Sequence, residues 1–261
     1  MLYSLLSRSP AKSRNLPNLR PKRVSRVLLD GPPGRKIGLA NRLGGLPRLP
    51  VAITRQAPIS IRRLRRVELP ADTIELARFL IGKIVVRELP GARLSGRIVE
   101  TEAYPPRDPA AHHFRGPTPR NRSMFLGRGY AYVYFSYGNH FMLNVSAEAP
   151  GIGGGVLIRA LEPLEGIEQM EGHRKTTRLL DLTRGPGRLA SALRIDRSLD
   201  GTDLCALGPL WLGAITRPRR PAPALLLGKS KRIGITRAAY RLLRFYARDS
   251  PFVSGPRNLR S

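Results

Sequence analysis

The first 66 residues and the remainder of the chain follow different rules, and that division limits where a fold can form. Up to Arg66 the sequence is rich in Arg, Pro, Gly and Ser, contains a single acidic residue, Asp30, and shows no sustained helical or strand period. Such a segment cannot bury enough apolar surface to offset the entropy of ordering it. It reads as a disordered basic extension over residues 1–66, leaving 67–261 to build one folded domain. Three readings of the extension stay open: a tether to DNA, a transit-like presequence (Arg-rich and acid-poor), and the product of an upstream start site.

The formal net charge of +28 calls for a polyanionic partner, because neutralising phosphates releases condensed counterions. Nucleic acid is the first candidate and an anionic membrane surface the second, while an Arg-rich coding bias can account for part of the excess. One cysteine, Cys205, allows no intrachain disulfide and no thiolate cluster, and the four histidines follow no zinc-ligand spacing. No metal or cofactor is expected. No apolar run approaches the ~18 residues that span a bilayer, so no membrane-spanning segment is expected; with nucleic acid preferred as the polyanion, the expected partner is not a membrane. A cytoplasmic, nucleoid-associated protein is the default, with organelle targeting by the basic N-terminus left open.

From Val67 onward, period and punctuation become readable. Asp72 and Glu75 resemble a capping box ahead of a helix with Leu76 and Leu80 on its apolar face, and Gly82 stops it. Lys83–Arg87 reads as a strand, Leu89–Ala92 as a turn and Gly96–Tyr104 as the returning strand. Tyr130–Phe135 and Phe141–Ser146 form a second pair around a break at Tyr137–Asn139. Val156–Leu161 is a short apolar strand, after which Glu162–Pro163 opens a helix with Pro in its first turn. Thr183–Gly187 precedes a further helix carrying Leu189 and Leu193. The Pro- and Leu-rich stretch from Leu207 to Leu227 reads as a variable loop. Hairpin-linked strands with helices between them predict an α+β domain on a largely antiparallel curved sheet with flanking helices.

Within Arg97–Tyr104, alternate side chains share a face, so Ile98, Glu100, Glu102 and Tyr104 point together. Buried, a carboxyl there has a raised pKa and can act as base or acid near neutrality. On local pattern alone, a solvent-facing strand with two surface glutamates is the simpler reading. His112 lies in a Pro-rich loop ahead of Arg120, Asn121 and Arg122, types that contact base edges and phosphates. Tyr130, Tyr132, Tyr134 and Tyr137 gather half of the eight tyrosines in one segment. Two of them suit the sheet core, but Tyr137 sits at a hairpin tip, a poor place for a core residue and a good one for a wedge that fills the gap left by a flipped nucleotide.

Taken together, the blocks RIVETEAY (97–104), AAH (110–112), TPRNRSMF (118–125), YVYFSYGNHFMLNVS (132–146), VLIRALEPLEG (156–166), LTRGPGRL (182–189), RIGI (232–235) and LRFYARDSPFVS (243–254) resemble the alkyladenine (3-methyladenine) DNA glycosylase family. Their order and spacing match from near Val67 to the end, and the N-terminal extension lies outside the resemblance. It implies a DNA-inserting hairpin and base-excision repair of double-stranded DNA containing alkylated or deaminated purines (3-methyladenine, 7-methylguanine or hypoxanthine type), by a monomer that leaves an abasic site. It further implies that Glu102 activates water for attack on C1′, that Arg159 orients this water, and that the main-chain carbonyl near Ile233 helps hold it. Tyr104 and Tyr134 would sandwich the flipped base with His112 on its edge, His113 being the alternative, and Asn144 would reject the exocyclic amine of guanine. Tyr137 would enter the minor groove, with Arg120, Asn121 and Arg122 on DNA. No role is implied for Glu100. With no lysine at these positions, the mechanism implied is hydrolytic, without a Schiff-base step.

Two other classes fit parts of the pattern. A non-catalytic basic RNA- or DNA-binding protein accounts for the charge but gives no reason for Glu102 and Arg159 beside stacking tyrosines. A carbohydrate glycosidase using Glu100 and Glu102 would have its carboxylates about 6.5–7 Å apart at Cα, yet both on one face, where they cannot flank a sugar. Replacing the tip residue, Tyr137→Ser, is expected to weaken binding to a lesion duplex by about 1–3 kcal/mol, the size of a stacking contact. Equilibrium binding checks this, and unchanged affinity removes the wedge role.

Overall fold

The computed structural model describes residues 59–136, 138–216 and 225–256. Nine strands form an open sheet in which every pairing among the described residues is antiparallel. In chain order they are β1 (Ile61–Arg63), β2 (Ile84–Leu89), β3 (Ala92–Tyr104), β4 (Ala131–Ser136), β5 (His140–Ser146), β6 (Gly155–Glu165), β7 (Leu210–Ile215), β8 (Leu227–Ser230) and β9 (Arg244–Ala247). The main path runs β1-β7-β2-β3-β6-β5-β4, and β9 joins β3 while pairing with β8. Among the described residues, four short α-helices accompany the sheet: α1 (Thr73–Leu80), α2 (Ile167–Arg174), α3 (Leu179–Leu182) and α4 (Pro186–Ala192). This is the expected α+β arrangement. No helix among the described residues is long and apolar enough to cross a membrane.

The 13-residue strand β3 is the hub. Its first half pairs with β2 and its second half with β9 on one edge, while β6 runs along the other. Helix α1 packs Leu76, Ala77 and Leu80, all fully buried, into the same core as Ile98, Val99 and Ala103 of β3. The Thr101 hydroxyl donates to the Ala77 carbonyl at 2.9 Å and ties strand to helix. Asp72 caps α1 by accepting from the N–H groups of Ile74 (2.8 Å) and Glu75 (2.9 Å). Glu75 does not complete a capping box; its carboxylate accepts from Arg78 at 2.8 Å instead. Gly82, at φ +83°, ends the turn as expected.

Four expectations require correction or restriction. Folded structure begins before Val67, since Ile61–Arg63 pairs with Gly213–Ile215 and Leu64 is buried in the core. The rest of the expected extension, residues 1–58, lies outside the described residues. The chain does not turn helical at Glu162–Pro163: β6 continues to Glu165, and α2 starts only at Ile167 after Gly166 at φ +73°. Pro163 is tolerated in the strand because it faces Gly96 beside a register shift, and a Cβ on Gly96 would lie 2.9 Å from Leu161 Cβ. Lastly, the supposed variable loop contains β7, an inner strand between β1 and β2 with Leu210, Trp211 and Leu212 buried. Its residues 217–224 lie outside the described residues.

Losing the Asp72 cap (Asp72→Ala) is expected to lower stability by about 1 kcal/mol, read as a shift in denaturant midpoint. Glu75→Ala, which breaks only an exposed ion pair, is expected to shift it much less.

Candidate active site

Two irregularities in the β3–β6 ladder build the floor of the site. Ile98 faces Leu161, Glu100 faces Ala160 and Thr101 faces Ile158, so Val99 on β3 and Arg159 on β6 are each an extra residue. Bulges of this kind re-aim side chains and bend the strand. Ile98 and Val99 therefore both pack in the apolar core, while Glu100, Glu102 and Tyr104 keep company around Arg159. The strict alternation that would put Ile98 with the carboxylates does not survive the bulge, and the solvent-facing strand is excluded: Glu100 and Glu102 are both 0% exposed.

Glu102 is held by three groups from three segments. Its Oε1 accepts from the Ile233 N–H at 2.7 Å and lies 3.2 Å from Arg159 Nη1. Its Oε2 accepts from the Tyr104 hydroxyl at 2.9 Å. Ile233 thus meets Glu102 through its main-chain N–H, a contact separate from the one expected between a carbonyl here and the water. Glu100 accepts from Arg159 Nε at 2.9 Å, from Arg244 Nε at 2.7 Å and from the Ser254 N–H at 2.6 Å.

The two carboxyls are driven apart. Burial pushes Glu102 above the ordinary carboxylate range, and the Arg159 charge, the Ile233 N–H and the Tyr104 hydroxyl oppose this without cancelling it. Burial also acts to raise Glu100, but the charges of Arg159 and Arg244, with their hydrogen bonds, outweigh it and hold Glu100 low. Environments that separate two neighbouring acids in this way assign them different roles. The Tyr104 phenol is raised by burial and then by the Glu102 charge, so it stays a donor.

Above this floor lies a cavity of about 490 Å³ whose walls include Tyr104, His112, Tyr134, Asn144, Arg159 and Ile233. Glu102 does not itself line it; the three residues that bond Glu102 do. Tyr134 stacks on Tyr132 (centroids 5.2 Å apart) and meets the edge of His112 at 4.4 Å. His112 Nδ1 is 2.9 Å from the Tyr132 hydroxyl, and burial, followed by the Arg120 charge, favours the neutral imidazole. His113 turns away from the cavity, with Nε2 3.1 Å from the Pro105 carbonyl. Asn144 donates to the Tyr132 carbonyl at 3.2 Å on the β4–β5 pair.

Of the residues expected on DNA, Arg120 and Arg122 are exposed, and Arg120 donates to the Phe135 carbonyl near the end of β4. Asn121 does not reach the surface: it is 3% exposed, accepts from Thr118 and donates to the carbonyls of His112 (2.9 Å) and Gly116 (3.1 Å). Its amide shapes the loop that presents His112. Tyr137 lies outside the described residues.

Sequence reasoning missed the supports. Arg232 stacks 4.5 Å from the Tyr104 ring centre, donates to the Ala103 carbonyl and pairs with buried Asp108 at 2.8 Å; Asp108 also binds Arg241 at 3.1 Å. This clamp ties the loop leading to His112 to the segment carrying Ile233. The available signals were a lone acid in PPRDPAAHH and an arginine within the apolar run LRFYA. No group of three or more His, Cys, Asp or Glu side chains suited to a metal ion occurs among the described residues.

The model of the Methylpurine-DNA glycosylase (MPG) family matches residues 68–251 of the chain. A protein of Mesorhizobium japonicum named "Putative 3-methyladenine DNA glycosylase" is 65% identical over 196 residues, covering 75% of this chain and 92% of the relative. A protein of the same name from Paraburkholderia phytofirmans is 51% identical over 205 residues, covering 78% and 94%. One from Chlorobaculum parvum is 45% identical over 199 residues, covering 76% and 93%.

Removing the clamp's acid (Asp108→Ala) leaves Arg232 buried without its counter-charge. A loss of about 3–5 kcal/mol in unfolding free energy is expected, measured by chemical denaturation.

Proposed function

Because the chain belongs to the methylpurine-DNA glycosylase family, we propose that it excises alkylated and deaminated purines from double-stranded DNA with Glu102 as the general base. The observation that carries this reading is the placement of Glu102: buried, pushed toward basicity, and bonded to three residues that line an aromatic-walled cavity roomy enough for an extruded nucleotide. A base can reach such a cavity only by leaving the stack, at a cost of a few kcal/mol that is smallest at damaged or mismatched positions. Tyr137, between β4 and β5 in the sequence, would fill the gap it leaves, and Arg120 and Arg122 would meet the phosphates.

In the pocket, Tyr104 and Tyr134 offer ring faces to the extruded purine. One side of Tyr104 is taken by Arg232, so the base uses the other. A cationic 3- or 7-alkylpurine gains about 0.5–2 kcal/mol from such faces. His112 meets the base edge, and Asn144 opposes an exocyclic amine at the purine 2-position. The sugar–base bond breaks through an oxocarbenium-like state that a nearby carboxylate stabilises. Among the described residues, Oε2 of Glu102 accepts from the Tyr104 hydroxyl. A carboxylate oxygen has two acceptor directions, so Oε2 would take a proton from a water that enters with the nucleotide, past the residues that otherwise close Glu102 off from the cavity. As that proton moves to Glu102, the water oxygen bonds to C1′, and the base departs with the electron pair of the broken bond. An alkylpurine cation leaves neutral, whereas hypoxanthine needs a proton as it leaves. Arg159 orients the water. The products are free base and an abasic site.

The chain would act as a monomer in the cytoplasm on nucleoid DNA, its +28 charge favouring encounter with the duplex. The Glu102→Gln variant is expected to lose release of hypoxanthine or 7-methylguanine from a duplex, read as alkali-labile sites, and to retain lesion binding. Equal loss of binding and release would make Glu102 a structural residue.

A further inference from the structure

We propose that Glu100 and Arg244 are positioning residues for base excision: they orient the Arg159 guanidinium and set how much of its charge falls on Glu102. The inference rests on the reading of Glu102 as the base. Neither Glu100 nor Arg244 lines the cavity, so any effect they have on the reaction is indirect, and Arg159 is the group that links Glu100 to Glu102.

The geometry is a chain of shared contacts. Arg159 presents Nε to Glu100 at 2.9 Å and Nη1 to Glu102 at 3.2 Å. Because the guanidinium is planar, two carboxylates gripping two different nitrogens fix its rotation. Glu100 is itself held by Arg244, which lies opposite Glu102 in the β3–β9 register and donates Nη1 to the Ser230 hydroxyl (2.8 Å) and Nη2 to the Ser254 carbonyl (2.9 Å). The quartet contains two carboxylates and two guanidiniums, so its formal charge is balanced at a site where an unpaired charge is strongly disfavoured.

The balance has a functional consequence. While Arg244 neutralises Glu100, Arg159 is divided between Glu100 and Glu102. If Glu100 loses its charge, Arg159 acts on Glu102 undivided and makes it less basic. If Arg244 loses its charge, Glu100 draws on Arg159 and adds its own negative charge, and Glu102 becomes more basic. The other groups facing Glu102 are unchanged by either substitution: Tyr104 on β3, the Ile233 N–H, Arg232 behind the Tyr104 ring, and Tyr134 and His112 on the cavity wall.

The test is the pH dependence of single-turnover 7-methylguanine release from a duplex by the full chain. A cationic base leaves without protonation, so the acid limb reports the general base, whose activity is lost as pH falls through its pKa. Glu100→Gln is expected to move that limb to lower pH by about one pH unit. Arg244→Met is expected to move it upward by a similar amount, and the double variant back toward the wild type. Arg244→Lys, which keeps the charge and loses the fork, is expected to leave the limb in place and slow release about tenfold or more. Melting curves identify any variant that does not fold. If Arg244→Met is one, the isosteric Glu100→Gln and the Arg244→Lys variants decide: a limb that stays or rises in Glu100→Gln, or one that moves in Arg244→Lys, overturns the proposal. Shifts of the same sign in Glu100→Gln and Arg244→Met do so too. Failure of the wild type to release base, or release by Glu102→Gln, would instead overturn the assignment of the base itself.

Discussion

The guanidinium of Arg159, shared between two fully buried carboxylates on one strand, is the interaction around which the site is organised. Charges so deep in a protein persist only when each has a counter-charge and its hydrogen-bonding capacity is met. That requirement accounts for Arg244 at the start of β9, for the return of the C-terminal segment to place the Ser254 N–H on Glu100, and for the Ile233 N–H on Glu102. It also accounts for the bulged ladder between β3 and β6, which leaves Arg159 as an extra residue between two carboxylates and off the regular pleat. One network thereby holds a carboxyl that is easily ionised next to one that is more basic than usual.

The floor and the walls of the cavity are built differently. The floor is central sheet, with Glu102, Tyr104 and Arg159 on paired strands that cannot shift singly. The walls come from loops and the β4–β5 pair, where local clamps substitute for a ladder. Asn121 folds the His112 loop on itself, the Tyr132 hydroxyl meets the His112 ring, and the Arg232–Asp108–Arg241 ion cluster joins two loops behind Tyr104. A rigid floor preserves the alignment of the reacting groups, while walls on loops can admit a nucleotide.

The elements legible in the sequence were those with strong local signals. Helix α1 had a capping aspartate, an apolar face and a terminal glycine, and the two central hairpins had β-branched and aromatic runs around clear turns. The errors arose where a pairing partner outweighed local propensity. Pro163 suggested a helix start, but a bulge and the small Gly96 opposite it let β6 run on to Glu165. LWLGAI was hidden among prolines and leucines, although it is the inner strand β7, and Ile61–Arg63 became a strand only because β7 lay beside it.

By itself, the order of the residue blocks determined the family resemblance, the antiparallel plan and the group Glu102, Tyr104, His112, Tyr134, Asn144 and Arg159, because chemistry that needs those side chains leaves them at readable spacings. Tertiary structure alone decided that Glu100 and Glu102 are buried, that Asn121 serves its own loop, that His112 faces the cavity while His113 turns from it, and that Arg244, Arg232 and Asp108 support the site. The physical reason is distance along the chain. Burial and charge pairing depend on residues up to 154 positions apart, as in the contact between Glu100 and Ser254, and no local pattern records which buried acid will meet which arginine.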